Sequence, residues 1–436
     1  MARNSRFPGF YKISVDERRA LVCDATGADP KEIERALDGG GIDADTADKF
    51  VENVLGTYAL PYGVALNVRV DGHDHVVPMV VEEPSVVAAA SNAAKMVRLG
   101  GGFTSDVDPP HMISQIQLID VPDVPRAIDA IEARAPEILS RADEAIPGLV
   151  ARGGGARGIE VRALGDAKTD RMMVVHIIID CRDAMGANLV NTVAEACAVR
   201  LAEIANAKVG LRILTNLCDK RLVRVKCRVP GEALATEDMD GDEVIDGIVN
   251  ASRFAELDPY RAATHNKGVM NGIDAVVLAT GNDWRAVEAG AHAYAARSGQ
   301  YSPLSIWRRD GKDLVGTLEL PLALGTVGGT LRVHPAARLS LRMLNVENAG
   351  QLAAIAAAIG LANNLAAVRA LATDGIQRGH MAQHARSVAL AAGAEGDLAQ
   401  RVAHMIVEAR DITVDAAKRA LAVLVGSSDN ASAIDD

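Results

Sequence analysis

Lys267 and Asp283 flank a long apolar segment, and together they could stabilise an oxyanion. Lys267 lies near the start of a mostly apolar predicted helix, in the segment THNKGVMNGIDAVVLATGNDW. A buried lysine needs a carboxylate partner, and Asp283 follows the same segment. An ammonium group held in this way can stabilise the oxyanion that forms from a carbonyl group. The alternative is a surface lysine whose alkyl chain packs on the protein beside a capping aspartate.

Proton donors form a second group of candidates. Glu82 and Glu83 end a predicted strand just before a helix. One of them could donate a proton if burial raises its pKa, or both could simply complement the helix N-terminus. His380 and His384 lie four residues apart in GHMAQH, but residue 381 is Met, so the HExxH zinc motif is absent and we expect no metal. A single histidine acting as general acid on a movable C-terminal segment is the other interpretation.

Two glycine-containing segments are candidates for phosphate binding. GGGARG (153–158) matches the pattern GxGxxG, but a predicted helix precedes it and a strand follows it. This is the reverse of the Rossmann order, so we predict an ordinary helix-to-strand loop. DAMGAN (183–188) instead follows an apolar strand and opens a helix, with Asp183 as predicted N-cap. Free N–H groups at this helix end could bind phosphate, and a capping role alone is the alternative.

Composition limits the class of protein. The 436 residues include 46 basic and 57 acidic side chains, and the net charge of −11 argues against nucleic-acid binding. The length allows about two to three domains, and the 49% hydrophobic content indicates a globular chain. Five cysteines without a CxxC motif favour free thiols in a reducing compartment. With neither a signal peptide nor a membrane-spanning stretch evident, we expect a cytoplasmic protein that does not bind a membrane.

The elements that must position these residues can be predicted from the apolar pattern. Segments 57–70 and 75–83 predict a hairpin, and Pro84 is where the next helix should begin. Residues 111–216 show the order β-α-β-β-α-β, which is typical of the ferredoxin-like fold. A further strand is predicted at 221–229, and a hairpin turning at Asp310. Helices are predicted at 243–257, 266–280, 283–298, 348–374, 380–392, 395–410 and 413–425.

Seven segments, taken in order, resemble one family. They are ENVLG (52–56), VEEPSVVAAAS (81–91), DAMGANLVNTVAEA (183–196), HNKGVMNGIDAV (265–276), GND (281–283), GTVGG (325–329) and GIQRGHMAQHA (375–385). Seven ordered segments are more specific than any one motif, and they extend over nearly the whole chain. On these residues the chain resembles 3-hydroxy-3-methylglutaryl-CoA (HMG-CoA) reductase, in the soluble class II form found in bacteria.

The resemblance implies an α/β fold in three parts. Residues 1–109 and 217–375 would form a large, helix-rich domain for substrate binding and dimerisation. Residues 110–216 would form a small ferredoxin-like, non-Rossmann domain for NAD(P), and 376–436 a helical C-terminal flap. Gly375 and Gly379 are the hinge candidates for this flap. A homodimer or higher homo-oligomer is implied, with the ENVLG segment at the interface and the active site between subunits.

A reaction and residue roles also follow from the resemblance. The family interconverts HMG-CoA and mevalonate plus CoA by two hydride transfers with a nicotinamide cofactor, through a hemithioacetal and mevaldehyde. By resemblance, Lys267 would hold the oxyanion, Glu83 would protonate the oxygen, and Asp283 would bond to Lys267. His380 would protonate the departing CoA thiolate.

The matching binding positions fall into a substrate group and a cofactor group. Arg261 matches a position near the HMG group, where it could pair with the free carboxylate. Ser85 and Asn271 match neighbouring substrate positions. The positions matching the cofactor site are Asp183, Met185, Gly186, Ala187, Asn188 and Asn216.

Two positions depart from the family pattern. The class favours NAD, but Ile146-Pro147 stands where NAD-preferring relatives carry an acidic residue before the proline. Arg152 and Arg157 lie nearby and could accommodate the 2′-phosphate of NADP, so NADP is a possible cofactor as well. Asn363-Asn364 stands where Gln-Asn is expected, which affects one substrate contact.

Two alternative functions stay open on the sequence. The first is a reductase of another CoA thioester or aldehyde on the same scaffold; an aldehyde releases no thiolate and would not require His380. The second is a non-catalytic CoA- or nucleotide-binding sensor, which would bind its ligand without hydride transfer.

Overall fold

Two β-sheets and the helices that cover them make up the described chain, which comprises residues 4–166, 169–373, 385–409 and 411–431 of a computed structural model. The strands are β1 (Tyr62–Val70), β2 (His73–Val80), β3 (Phe103–Val107), β4 (His111–Ile119), β5 (Gly155–Leu164), β6 (Met172–Asp180), β7 (Lys208–Leu214), β8 (Leu222–Pro230), β9 (Ser305–Asp310) and β10 (Asp313–Pro321). The helices are α1 (Val15–Thr26), α2 (Pro30–Leu37), α3 (Ala44–Ala47), α4 (Val86–Leu99), α5 (Val124–Glu132), α6 (Ala135–Ala145), α7 (Pro147–Val150), α8 (Ala187–Ala205), α9 (Gly231–Leu234), α10 (Gly241–Leu257), α11 (Pro259–Ala279), α12 (Trp284–Ala295), α13 (Gly329–Val333), α14 (Pro335–Leu344), α15 (Ala349–Ala372), α16 (385–391), α17 (Gly396–Glu408) and α18 (Val414–Ala431).

The larger sheet has six strands in the order β2-β1-β3-β8-β10-β9. Its neighbours pair antiparallel, except for β1 and β3, which run parallel. Helices α4 and α15 pack on this sheet, and α11 packs on α15 and β2. The close approach of α11 to α15 depends on Gly272, because a Cβ there would lie 2.6 Å from the carbonyl oxygen of Ile359. A residue with a side chain at this position of α11 would therefore push the two helices apart.

The smaller sheet has four antiparallel strands in the order β5-β6-β4-β7. With the intervening helices it has the β-α-β-β-α-β order and the strand arrangement of a ferredoxin-like fold, which confirms that prediction. Helices α5, α6 and α8 pack on one face of this sheet and enclose a separate hydrophobic core. Since His111, Gly155 and Asp180 are paired, the starts of β4 and β5 and the end of β6 share one edge.

Two further apolar clusters lie outside these cores. Residues from α1 and α2 pack with β1, β2 and α14. Helices α16, α17 and α18 enclose a cluster of their own. The five cysteines are buried free thiols.

Several predicted boundaries were wrong by a few residues, for local reasons. Helix α4 begins at Val86 with Ser85 as its N-cap, so Pro84 precedes the helix instead of opening it. By contrast, the segment 123–144 is predicted to be helical with an interruption at Pro136, and this is confirmed: it forms α5 and α6, with Pro136 in the first turn of α6. Strand β5 begins at Gly155, inside the segment predicted as a loop. Helix α11 begins at Pro259, seven residues before the predicted start, because Asp258 caps it and proline suits its first turn.

The sequence led us to expect no apolar stretch of membrane-spanning length, but α15 has that length and composition. It is the one such helix in the described parts of the chain, and 83% of its apolar window is buried inside the fold. Its apolar character is therefore explained by its place in the core.

Candidate active site

Helix α11 carries the candidate lysine on its exposed face. The side chain of Asp258 accepts a 3.0 Å hydrogen bond from the backbone N–H of Arg261 and so caps the helix. The opposite face of α11 packs on α15, which leaves the Lys267 side chain 58% exposed. A reacting group could therefore approach its ammonium group from solvent.

Lys267 and Glu83 form the strongest polar contact of the site. The Nζ atom of Lys267 lies 2.5 Å from Oε2 of Glu83, in the loop between β2 and α4. Two residues on, Ser85 adopts a left-handed backbone conformation with φ of 78°. Such a conformation is strained for a residue with a side chain, and strain of this kind clusters at functional sites. The structure thus brings together a cation, a carboxylate and a strained serine loop.

The other predicted substrate residues lie on the same helix as Lys267. Asn271 follows Lys267 by one helical turn. Arg261 precedes it by about 9 Å along the axis, from the rise per residue. The guanidinium of Arg261 is half-buried, and burial lowers its pKa. Among the described residues it has no carboxylate within 4 Å, so its charge is available to an anionic ligand.

Lys267 and Asp283 do not form the predicted ion pair within a single chain, where Lys267 contacts Glu83 instead. Asp283 instead caps α12, where its Oδ1 accepts hydrogen bonds of 3.1 Å from the amides of Arg285 and Ala286. Twelve residues of continuous helix separate Lys267 from the end of α11, and these span about 18 Å. Asp283 follows the end of α11 by four residues, and no ion pair joins it to Lys267 within one chain.

Asp283 instead lines a cleft with the predicted cofactor residues. This cleft has a volume of about 370 Å³ and is lined by Asp283, the 184–189 segment and the 327–329 turn. Gly186 is the N-cap of α8 with φ of 104°, and a Cβ there would lie 2.5 Å from Sγ of Cys181. The first N–H groups of α8 lack intrahelical partners and carry a positive partial charge, which suits phosphate. The donor set thus fits a dinucleotide cofactor.

Two predicted cofactor residues have other surroundings than expected. Asp183 does not cap α8; its Oδ1 accepts a 3.0 Å hydrogen bond from the backbone N–H of Ala349 at the start of α15. Its carbonyl oxygen also accepts from the amide of Thr326, at 2.9 Å. Asp183 therefore tethers the 183–188 loop to the large sheet's helices. Asn216 is exposed just after β7, near the shared edge of the small sheet.

Arginines surround the same edge of the small sheet. Asp180, at the end of β6, forms ion pairs with Arg157 at 3.2 Å and Arg182 at 3.6 Å. Ile146 is only 4% exposed and belongs to the small core. The side chain at this position therefore presents neither a carboxylate nor any other polar group to a ligand.

A polar cluster between α11 and α12 was missed by the sequence analysis. The carboxyl groups of Asp274 and Glu288 meet there, and burial together with Glu288 raises the pKa of Asp274 to about 9. Glu288 also pairs with His292 at 2.5 Å, which raises the pKa of His292. Nδ1 of His292 lies 2.7 Å from the Tyr301 hydroxyl, which accepts a hydrogen bond from Asn266 beside Lys267. The spacing could have indicated Asp274, because it lies two helical turns after Lys267 and so on the same side of the predicted helix.

Some predictions fall elsewhere. His380, Gly375 and Gly379 lie outside the described residues. Asn364, from the Asn363-Asn364 pair, is engaged inside the fold: its Oδ1 accepts from the Trp307 indole at 2.7 Å, and its amide donates to the carbonyl of His265. Within the described ranges, no group of three or more His, Cys, Asp or Glu side chains could hold a metal ion.

Comparisons with known proteins agree on one family. The family model described as hydroxymethylglutaryl-coenzyme A reductase matches residues 14–385. The 3-hydroxy-3-methylglutaryl-coenzyme A reductase of Archaeoglobus fulgidus is 49% identical over 421 residues, covering 96% of this chain and 95% of that protein. A solved 3-hydroxy-3-methylglutaryl-coenzyme A reductase from Streptococcus pneumoniae superposes with a TM-score of 0.82 at 41% identity, covering 96% of this chain and all of that one. A second Streptococcus pneumoniae structure, of the class II enzyme bound to NADPH in open conformations, has a TM-score of 0.81 at 42% identity and covers 84% of this chain and all of that one.

Replacing Asp274 with Asn should stabilise the protein increasingly as the pH rises. The folded pKa of about 9 lies above the ordinary value of 3.8, so the folded state keeps a proton that the unfolded state releases. The stability of the parent protein therefore falls between these pH values, by at most about 1.4 kcal/mol per pH unit for one proton. Asparagine has no such proton to keep, and its amide can still donate to Glu288.

Thermal melting from about pH 5 to pH 9 measures this effect through the difference in Tm between D274N and the parent. The exposed Asp238, changed to Asn, is the matched control and should show a constant difference. A D274N difference that does not grow with pH would mean that Asp274 is ionised in the folded protein.

Proposed function

The chain belongs to the hydroxymethylglutaryl-CoA reductase family, and on this premise we propose that it interconverts HMG-CoA and mevalonate plus CoA with a nicotinamide cofactor. The observation that carries the proposal is the 2.5 Å contact of Lys267 with Glu83, beside a strained serine loop. Reduction of a thioester to an alcohol needs a cation to stabilise the oxyanion and an acid to protonate it. The contact provides the cation directly, and Glu83 would act as the acid once its carboxyl group has taken up a proton.

The residues of the lysine half-site divide the work by their chemistry. Lys267 would stabilise the negative charge that develops on the substrate oxygen, and Glu83 would supply the proton to that oxygen. Arg261 would bind the free carboxylate of the HMG group, because its half-buried guanidinium lacks a carboxylate partner among the described residues. Ser85 and Asn271, on either side of Lys267 and Glu83, would orient the rest of that group.

The cofactor half-site would hold the nucleotide at the start of α8. When bound, the cofactor supplies the hydride. Gly186, Ala187 and Asn188 would bind its phosphates through backbone N–H groups, with Met185 beside them in the cleft. Asn216, just after β7, would contact the cofactor outside this cleft. Asp183 would act indirectly by holding this loop.

We propose that the two half-sites combine between two subunits of a homodimer or larger oligomer. Lys267 and Asp283 of one chain are held apart by α11, so Asp283 would reach the lysine of a partner. The extended segment before β1 supports an interface, since Leu55 and Tyr58 are fully or almost fully exposed there. Burial of such side chains in a second copy is favourable.

The proposed division of the chain follows these roles. Residues 1–109 and 217–375 would bind substrate and dimerise, and 110–216 would bind the cofactor. Residues 376–436 would form the flap that brings His380 to the CoA sulfur, where it would protonate the thiolate. The buried free thiols favour a reducing, cytoplasmic location.

For the cofactor we propose that NADPH is used at least as well as NADH. Arginine side chains near the adenosine ribose accommodate the 2′-phosphate of NADPH. Ile146 is buried and apolar, and Arg152, Arg157 and Arg182 lie around the same edge of the small sheet. The NADPH-bound relative supports this proposal.

Purified protein mixed with HMG-CoA should oxidise two cofactor molecules for each CoA released. Absorbance of the reduced nicotinamide and a thiol assay measure the two quantities. The kcat/KM with NADPH should equal or exceed that with NADH, and Arg157→Ala should lower it for NADPH more than for NADH. Turnover only with another CoA thioester or an aldehyde would replace the proposed substrate. A strong preference for NADH would contradict the proposal for the 2′-phosphate.

Replacing Lys267 and His380 should separate the steps of the reaction. Lys267→Ala should abolish reduction of both HMG-CoA and mevaldehyde, because both form an oxyanion. His380→Ala should lower HMG-CoA reduction by about 100-fold, the usual size of a general-acid effect, and largely spare mevaldehyde. Steady-state rates on both substrates measure this, with circular dichroism as the folding control. Equal losses of His380→Ala on both substrates would contradict thiolate protonation.

A further inference from the structure

Arg221 is a buried cation at the junction between the two sheets. It lies just before β8 and is 3% exposed. Its guanidinium donates to the carbonyl oxygens of Ala184 at 3.2 Å, Met185 at 3.3 Å and Leu324 at 2.5 Å. In the described parts of the chain, no carboxylate lies within 4 Å of it. Burying a charge in this way is unfavourable unless hydrogen bonds or a group of opposite charge compensate for the lost hydration.

The acids nearest to Arg221 are engaged elsewhere. Asp180 and Asp183 act on Arg221 only through their longer-range charge. Asp180 pairs with Arg157 and Arg182, and Asp183 accepts from the amide of Ala349. The positive charge of Arg221 is therefore solvated by carbonyl dipoles and is not neutralised by an ion pair.

The three carbonyl groups belong to the two segments that form the cofactor cleft. Ala184 and Met185 come directly before Gly186 and the start of α8, and Leu324 comes before the 325–329 turn. Residues of both segments line the cleft of about 370 Å³. A parallel bridge between Ala184 and Val327 joins the same segments. Arg221 therefore holds the carbonyl groups that directly precede Gly186 and the 325–329 turn, and it ties the backbones of the two segments together.

We propose that Arg221 is a positioning residue for the nicotinamide cofactor, which orients the 184–188 loop and places a buried positive charge behind it. The cofactor's phosphates would then meet N–H groups that are already aimed and a favourable field. Arg221 itself does not line the cleft and acts through Ala184 and Met185. The proposal rests on the proposed function of this cleft as the cofactor site.

Arg221→Met tests the proposal, because methionine is also long and unbranched but has neither charge nor donors. We expect the Kd for NADPH, measured by fluorescence titration without substrate, to rise about tenfold, as for loss of a set of charged hydrogen bonds. The KM for NADPH should rise in parallel, while the KM for HMG-CoA stays within about twofold. A residue that only stabilised the fold would affect both ligands alike.

Arg221→Lys and Arg224→Met complete the design. Lysine keeps the positive charge but has fewer hydrogen-bond donors and a shorter side chain. The Kd of R221K for NADPH should therefore lie between those of the parent and R221M. Arg224, three residues on, is a surface arginine paired with Asp108 and Glu319, and its change should leave NADPH binding unaltered.

The binding measurements with these variants decide the proposal. An unchanged Kd for NADPH in either Arg221 variant, or equal losses for both ligands, would overturn it. If R221M does not fold, a threefold or larger rise in the R221K Kd for NADPH alone would support the proposal, and a smaller one would overturn it. Parent protein that binds NADPH but does not reduce HMG-CoA would contradict the proposed reaction, while the Arg221 comparison of binding would still decide this inference.

Discussion

The length and continuity of α11 constrain the rest of the site. This helix holds Lys267 near its middle and delivers Asp283 just beyond its end, about 18 Å further on. Its position is set by close packing of small residues on α15, so it cannot bend without opening the core. On the proposed function, one chain therefore presents two half-sites, which a second subunit would combine. The lysine half-site has Glu83 and Ser85, and the other has Asp283 and the start of α8.

The second half-site depends on how backbone groups are oriented. A helix N-terminus binds anions only where its N–H groups are free and accessible. Gly186 provides the turn, Asp183 ties the loop to α15, and Arg221 holds the preceding carbonyls away from the cleft. These contacts come from three parts of the chain that are remote in sequence. The conformation of the loop therefore depends on residues packed against both sheets. This suits the proposed site, where the cofactor would meet a substrate bound by another part of the protein.

Much of the fold was predictable because its elements carry strong local signals. The ferredoxin-like order followed from alternating apolar strands and helices, and the hairpins followed from their turn residues. Helix ends were less predictable: Ser85 caps α4 in a strained conformation that no propensity favours. The contact of Lys267 with Glu83 joins residues 184 positions apart, and the sequence indicated both residues as candidates but did not predict that they meet. The pairing of Lys267 with Asp283 was predicted from their order in the sequence and from the resemblance, and one chain alone does not form it. Arg221 and the Asp274 cluster match no sequence motif, because what distinguishes them is their burial in the folded protein.

The central claim is that a complete active site needs Lys267 of one subunit and Asp283 of another. Hybrid dimers test it most directly: one chain carries Lys267→Ala, the other Asp283→Ala, and each bears a different affinity tag so that only hybrids are purified. Each variant alone should be inactive. In a two-fold dimer the hybrid should recover about half of the parent activity, because one of its two sites keeps both residues. A hybrid as inactive as the single variants would contradict the account, since both residues would then have to come from the same chain.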